Sequence, residues 1–151
     1  MGFTEGAYEI MPDGTFLCVM RTTDGRGIGP MYLSRSKDLG VTWTKPEAFT
    51  LSGVLPKLLQ LKNGVMAMSS GRPGVQLRFS TDGQGRNWSD PIEMLPYHGL
   101  TEDVSCGYTN LLATGPDRFL LVYSDFRYVN DAKEIRKAIK IREVIVTPRK
   151  D

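Results

Sequence analysis

Residues 36–43 read SKDLGVTW and residues 80–88 read STDGQGRNW, so one short motif built on Ser-x-Asp, glycine and tryptophan occurs twice. Asp38 and Asp82 lie 44 residues apart. An aspartate side chain accepts hydrogen bonds from the backbone of its own turn, and glycine adopts the dihedral angles that a tight turn requires. We call 36–43 and 80–88 the first and second aspartate turns. Their recurrence indicates a repeated structural unit, with a spacing close to the roughly 40–50 residues of one propeller blade.

The segments around the aspartate turns have the pattern of short β-strands. Runs of β-forming residues alternate with turns that are rich in the chain's 16 glycines and 9 prolines. Pro12-Asp13-Gly14 and Lys62-Asn63-Gly64 each separate two such runs, and Asp-Gly and Asn-Gly are typical of hairpin turns. The charged segment 131–137, DAKEIRK, is the one exception, and we interpret it as a solvated loop. The sequence therefore predicts an all-β fold.

The predicted strands group into three units, at about residues 6–51, 57–95 and 108–146 of a single domain over 1–151. Each of the first two units has four strands with an aspartate turn between the third and the fourth, and the last unit has three. This layout predicts a partial β-propeller. Because Trp43 and Trp88 hold the same place in the motif, we expect both to be buried beneath their turns.

Composition excludes several classes of function. The 151 residues carry a formal net charge of +2, which gives no reason to expect nucleic acid as a partner. No apolar run approaches the roughly 20 residues of a membrane span, so we expect no membrane partner either. Cys18, Cys106 and His98 show neither metal-ligand spacing nor a disulfide framework, and we expect no cofactor or metal. The cellular compartment stays open.

The aspartate turns resemble the Asp-box of the BNR repeat, which is found above all in the sialidase (neuraminidase) superfamily. That resemblance implies a propeller of sialidase type, of which this chain supplies about three blades of a six-bladed ring, corresponding to the C-terminal half of the family domain. The second turn departs from the family pattern by one inserted residue and by Asn87 in place of threonine. The resemblance assigns a structural role to Ser36, Asp38, Gly40, Trp43, Ser80, Asp82, Gly85 and Trp88.

Three further segments extend the resemblance to the family's catalytic residues. Residues 5–14, EGAYEIMPDG, are similar to the segment that begins with a catalytic glutamate, and Arg21 follows Glu5 by 16 residues, as an active-site arginine does in the family. Arg72 in SGRPGV stands where the family has the last arginine of its triad, and Tyr108 in CGYTNL where it has a tyrosine nucleophile. The resemblance thus implies that Arg21 and Arg72 bind the sugar carboxylate, with Tyr108 as nucleophile and Glu5 as its base.

These residue types suit one another chemically. A sialic acid carries a carboxylate on its anomeric carbon, and guanidinium groups bind carboxylates through paired hydrogen bonds. A neutral phenol approaches that carbon without the charge repulsion that a carboxylate nucleophile meets, and a nearby glutamate accepts its proton. Sialidases are the glycosidases that use tyrosine in this way. The sequence therefore predicts an exo-glycosidase whose partners are sialylated or other acidic-sugar glycans.

Two alternatives remain open from the sequence. The chain is also compatible with a non-catalytic propeller module that binds glycans or proteins, and with a structural segment whose arginines pair internally. The family's acid/base aspartate and first triad arginine have no counterpart here, so we expect the chain alone to be inactive. Exposed sheet faces also predict a homodimer or pairing with an N-terminal half. A hydrolase requires Glu5, Arg21, Arg72 and Tyr108 to share one concave face.

Overall fold

A computed structural model describes residues 2–23, 29–97 and 107–147, which form eleven β-strands in three antiparallel sheets. These described ranges contain no helix, and therefore no helix that could cross a membrane. The prediction of an all-β partial propeller is confirmed. The strand order in the first two sheets follows the chain, as expected for blades built from consecutive hairpins.

The first sheet contains β1 (Phe3–Ile10), β2 (Phe16–Thr22), β3 (Met31–Ser36) and β4 (Glu47–Ala48). The second contains β5 (Val54–Gln60), β6 (Met66–Gly71), β7 (Val75–Ser80) and β8 (Ile92–Leu95). The third contains β9 (Thr109–Ala113), β10 (Arg118–Val129) and β11 (Ile135–Ile145), in the spatial order β11-β10-β9. Each aspartate turn joins the third and fourth strands of its sheet.

The interpretation of 131–137 as a loop is wrong for its last three residues, which belong to β11. The hairpin turn spans residues 130–134 and ends before the last charges of the segment. The Asn130 N–H donates to the Glu134 carbonyl at 3.0 Å, and the Glu134 N–H donates to the Asn130 side chain at 2.9 Å. This turn lets β10 and β11 pair well beyond the core, where charged side chains remain in solvent.

The three sheets pack face to face. Leu17 and Val19 of β2 are fully buried with Met66 and Met68 of β6 in two neighbouring apolar clusters. A second interface joins the second and third sheets, where the buried residues are Leu61, Ala67, Val75, Leu77, Phe119, Leu121 and Tyr123. Tyr123 is 1% exposed, so it belongs to the core. Alternate residues of β2 thus face the second sheet, which follows from the two-residue period of a strand.

The hairpin turn before the second strand of each sheet gives a common reference point. Counted from this turn, Phe16, Met66 and Phe119 occupy the same position in the three sheets. The pairing register agrees, since Ala7 opposite Val19, Lys57 opposite Ser69 and Asn110 opposite Val122 are equivalent pairs. Equivalent positions can therefore be compared residue by residue.

Candidate functional site

The first strands of the first two sheets share an irregularity at the same place. The register shifts between Thr4 and Ala7 in β1, and between Val54 and Lys57 in β5. Inside these bulges Glu5 has a φ of 47° and Leu55 a φ of 44°. A bulge redirects a side chain, and a left-handed backbone at a residue other than glycine persists only where its surroundings hold it. The bulge therefore determines the direction of the Glu5 side chain.

Glu5 is fixed through both of its carboxylate oxygens. Arg21 Nη1 donates to Glu5 Oε1 at 2.9 Å, and the Leu55 N–H donates to Glu5 Oε2 at 3.0 Å. The side chains of Arg21 and Glu5 are only 14% and 23% exposed, so this ion pair is partly shielded from water. Glu5 therefore links the first sheet to the second and orients Arg21 at the end of β2.

Arg72 and Tyr108 form a second pair. Arg72 directly follows β6, has a φ of 47° and precedes Pro73 through a cis peptide bond. Its guanidinium carbon lies 5.9 Å from the centre of the Tyr108 ring, within the range of a cation–π contact. Tyr108 is half exposed, so its ring remains open to solvent on one side.

Two glycines bring this second pair together. A Cβ on Gly71 would overlap the carbonyl oxygen of Gly107, so the two backbones approach more closely than any other residue allows. Beside them, Ser69 Oγ and Thr109 Oγ1 share a buried hydrogen bond of 2.7 Å. Because Gly71 precedes Arg72 and Gly107 precedes Tyr108, the close approach places the cation next to the ring.

The repeat relates the two pairs to each other. Glu5, Leu55 and Tyr108 each lie nine residues before their hairpin-turn reference, at Gly14, Gly64 and Asp117. Glu5 and Leu55 therefore hold the same position on the first strands of their sheets, and Tyr108 holds the equivalent position immediately before β9. All four predicted site residues accordingly lie at one end of the sheets. Within the described residues, no hydrogen bond joins Glu5 to Tyr108, and Leu55 stands between them.

The two arginines keep unused hydrogen-bonding capacity. The Nε atoms of both Arg21 and Arg72 are buried and have no hydrogen-bond partner within 2–23, 29–97 and 107–147. Leaving a buried donor unsatisfied costs about 1–3 kcal/mol, and more for a charged group. The carboxylate or hydroxyl oxygens of a bound sugar are acceptors of the kind that would satisfy such donors.

Sequence reasoning missed the residues that position the site. Leu55 contributes through its backbone N–H, and Gly71 and Gly107 contribute through the close approach of their backbones. A repeat alignment based on the hairpin turns would have revealed Leu55, because it is the counterpart of Glu5 and Tyr108. No signal in one sequence indicates that Gly71 faces Gly107, since this contact joins different sheets.

The aspartate turns lie at the opposite end of the sheets. Ser36, which begins the first turn, pairs with Phe16 at the start of β2, whereas Arg21 lies at the other end of that strand. The Thr42 N–H donates to Asp38 at 2.8 Å, and the Asn87 N–H donates to Asp82 at 2.7 Å. Asn87 thus replaces threonine without loss of the turn's hydrogen bonding. This arrangement supports a structural role for the turns.

Both turn aspartates are held in the ionised form. Hydrogen bonds from the Thr42 side chain, the Thr42 backbone and the Ser36 hydroxyl lower the pKa of Asp38 to about 2. For Asp82, burial opposes ionisation, but the backbone N–H groups of Asn87 and Gln84, with further donors, outweigh it and lower the pKa to about 2. The donors stabilise the carboxylate directly.

The expectation that both tryptophans are buried is wrong for Trp43, which is 43% exposed, and Trp88 is only partly buried. Each indole N–H donates to a turn glycine carbonyl at 2.9 Å, Trp43 to Gly40 and Trp88 to Gly85. Trp88 also packs against the first sheet, with its ring centroid 5.3 Å from that of Phe49. No sheet precedes the first one within the described residues, so the equivalent side of Trp43 stays open.

Two residues considered in the sequence, His98 and Cys106, lie outside the described residues. Across 2–23, 29–97 and 107–147, no group of three or more His, Cys, Asp or Glu side chains is arranged to hold a metal ion.

The chain is similar in fold to several solved structures, although no protein-family model and no curated protein sequence matches it. A protein of unknown function from Dyadobacter fermentans superposes with a TM-score of 0.71 at 22% identity, over 95% of this chain and 38% of that one. The GH93 α-L-arabinofuranosidase of Fusarium graminearum gives 0.61 at 19% identity, over 95% and 45%. The α-L-arabinanase of Penicillium chrysogenum gives 0.61 at 19% identity, over 95% and 46%.

The chain spans less than half of the length of each of these three proteins. At such identities the likeness concerns the fold alone. Neither of the two named enzymes is a sialidase, so the resemblance to that family rests on the sequence motifs. The chain has the fold of a β-propeller segment of the kind found in glycoside hydrolases.

Proposed function

We propose that this chain forms part of a sialidase-like exo-glycoside hydrolase that releases a terminal sialic acid or a related acidic sugar. Arg21 and Arg72 bind the sugar carboxylate, Tyr108 is the nucleophile and Glu5 accepts its proton. The observation that carries the proposal is the grouping of these four residues at one end of the sheets, in the pairs Glu5–Arg21 and Arg72–Tyr108.

The charge at this end favours an anionic sugar. Glu5 neutralises Arg21 through their 2.9 Å ion pair, whereas Arg72 stacks on Tyr108 and has no carboxylate partner among the described residues. Both arginines also retain buried Nε donors without partners. A ligand carboxylate compensates the positive charge of Arg72 through charge-assisted hydrogen bonds, whereas a neutral sugar supplies only weaker acceptors.

The proposed step forms a bond between the Tyr108 oxygen and the anomeric carbon. The bond from that carbon to the leaving group breaks, and the phenolic proton passes to Glu5, directly or through one water. Water then attacks the anomeric carbon and breaks the aryl glycosidic bond to Tyr108, a proton returns from Glu5 to the phenolate, and the sugar is released. An acid that protonates a poor leaving group is supplied by residues other than these four.

A second candidate is an arabinan-degrading hydrolase, because two of the similar solved structures are an α-L-arabinofuranosidase and an α-L-arabinanase. That candidate requires a neutral furanose in the site. It predicts binding of arabinobiose that does not depend on Arg72.

Covalent trapping tests the proposal in the 151-residue chain. The probe is a sialic acid with fluorine on the anomeric carbon and on the adjacent carbon. Fluoride leaves without protonation, so no general acid is needed, and the second fluorine slows hydrolysis of the adduct. We expect the mass of one fluorosugar unit on Tyr108, located by peptide mass spectrometry, and no such adduct in Tyr108→Phe.

Matched variants make the result specific. Tyr128→Phe removes another partly exposed tyrosine, outside the site, and should leave labelling unchanged. Arg72→Gln should reduce the labelling rate at least tenfold, whereas Arg86→Gln, at the second aspartate turn, should not. Labelling at any residue other than Tyr108, or absence of labelling together with binding of arabinobiose in saturation-transfer NMR, would overturn the proposal.

A further inference from the structure

The outward face of the first sheet is apolar and uncovered. Along β1, Tyr8 is 71% exposed and Ile10 49% exposed, and beside them on β2 lie Phe16 and Cys18, both half-buried. Trp43 is the fifth member of this surface. We call these five residues the leading face.

The other two sheets show what normally covers a leading face. Met66 and Met68 are the counterparts of Phe16 and Cys18 in the second sheet, and they are 1% and 0% exposed because the first sheet packs on them. Phe119 and Leu121 hold these positions in the third sheet and are fully buried against the second. A leading face is therefore covered by another sheet in both cases that the chain itself contains.

The far side of the third sheet is apolar and uncovered as well. Its exposed residues include Leu112 at 61%, Ile139 at 70%, Ile141 at 63% and Ile145 at 50%. Val122 lies among them and is the counterpart of Val19, which is fully buried against the second sheet. We call these five residues the trailing face.

Two of the charges on β11 are turned away from the trailing face, whereas Glu143, opposite Leu120, lies on the same side of the sheet as Ile141. On β11, Lys140 pairs with Asp125 at 2.8 Å, and Arg142 donates to the Tyr123 hydroxyl at 3.0 Å on the side of the second sheet. Ile139 and Ile141 alternate with these two charges and therefore face the opposite side, on the trailing face. The leading and trailing faces are thus largely apolar, and their association removes apolar surface from water.

We propose that the trailing face of one copy packs on the leading face of a second copy, at two equivalent seams, so that two copies form a closed pair. Inside one chain the same kind of trailing face already packs on a leading face twice, so a second copy offers both surfaces in the required repeat geometry. The chain matches 38–46% of three solved structures, so two copies approach the extent of one such protein. A two-fold pair satisfies both faces of both copies at once.

The pairing has a consequence for the proposed site, although it does not depend on the catalytic roles. Each seam continues the repeat, so Glu5, Arg21, Arg72 and Tyr108 of both copies lie at the same end of the pair. Residues of the partner copy then border the opening next to Glu5 of one copy and next to Tyr108 of the other.

Sedimentation and light scattering on the 151-residue chain from 1 to 100 µM test the pairing. We expect a mass of about 34 kDa, twice the 16.8 kDa of one chain. Ile10→Glu on the leading face and Ile139→Lys on the trailing face should each weaken association at least tenfold. Leu51→Glu and Leu51→Lys are matched controls, because Leu51 is 94% exposed outside both faces, and they should still pair.

Mixing the two variants distinguishes head-to-tail pairing from other modes. A mixed pair has one unchanged seam and confines both substitutions, of opposite charge, to the other seam. The mixture should therefore associate more tightly than either variant alone. Mixtures that associate no better than the single variants would overturn the proposal, as would a wild-type monomer at 100 µM or assemblies larger than two copies.

A measurement without substitution covers the case in which a variant does not fold. Cys18 belongs to the leading face, so pairing should protect it from alkylation by iodoacetamide. We expect the alkylation rate at Cys18, read by peptide mass spectrometry, to fall at least fivefold as the chain concentration rises from 1 to 100 µM. A rate independent of concentration would contradict the pairing.

Discussion

At the scale of single residues, the site depends on backbone conformation as much as on side-chain type. Glu5 and Leu55 occupy the same bulge position with nearly the same φ, yet only Glu5 has an ionisable side chain. The Leu55 N–H instead holds the Glu5 carboxylate. The bulge therefore serves in one sheet to present an acid and in the next to present a backbone donor to that acid.

The aspartate turns make stability depend on acidity. The pKa values of Asp38 and Asp82 are about 2 in the folded chain, below the ordinary 3.8. Because the folded values are depressed, their contribution to stability is complete above about pH 4 and disappears as the pH falls toward 2. Urea unfolding at pH 7, 4 and 2.5 should show a loss of stability over the lower interval.

A substitution at Asp82 tests whether the pH dependence of stability arises from the aspartate turns and not from other carboxylates. Asp82→Asn should destabilise the chain at pH 7, and its difference from the wild type should shrink at pH 2.5, when Asp82 is becoming protonated. Asp131→Asn, in the exposed turn between β10 and β11, serves as the control and should leave the pH profile unchanged. A profile for Asp82→Asn parallel to that of the wild type would contradict this role of Asp82.

At the scale of elements, equivalent residues contribute differently to the free energy of unfolding because their neighbours differ. Trp88 packs between two sheets, whereas Trp43 has the same turn hydrogen bond and an open outer side. Gly85 lies close to Leu17 of the first sheet, so the second aspartate turn also contributes to that interface. Arg35 reinforces it by donating to the Gln84 carbonyl at 2.7 Å.

Replacing the two tryptophans should therefore have unequal effects. Trp88→Ala removes packing from an inter-sheet core and should cost about 3 kcal/mol of unfolding free energy. Trp43→Ala should cost about 1 kcal/mol or less. Urea unfolding in an Ile139→Lys background, which keeps the leading face of each copy uncovered, gives the comparison. Equal losses for both variants would mean that Trp43 is covered by something within the single chain.

At the scale of the whole molecule, the described carboxylates near the site are already engaged. Glu5 is held by Arg21 and Leu55, and Asp125, at the corresponding end of β10, pairs with Lys140. Neither is placed as a free acid for protonating a leaving group. If the four site residues act as proposed, the three sheets supply the sugar-binding groups and the nucleophile, and the described carboxylates near them supply no separate proton donor.

The 151-residue chain should consequently show no appreciable turnover of a sialoside with an unactivated aglycone. Positioned proton transfer contributes about 10²–10⁴-fold to such rates. Release of a fluorescent aglycone with a high pKa should stay at the background rate, even where the fluorosugar labels Tyr108. Turnover that is abolished by Glu5→Gln but not by Glu9→Gln would instead assign the acid role to Glu5.

The sequence alone determined the β class, the three units and the aspartate turns, because strand alternation and turn chemistry are local properties. It also identified Glu5, Arg21, Arg72 and Tyr108 through a resemblance in motifs, although their catalytic roles remain a proposal. Only the tertiary structure decided that Glu5 pairs with Arg21 across a bulge, that Gly71 meets Gly107, and that Trp43 is open where Trp88 is covered. These features arise from contacts between strands and sheets distant in sequence, and a local pattern carries no information about which surface a neighbouring sheet will cover.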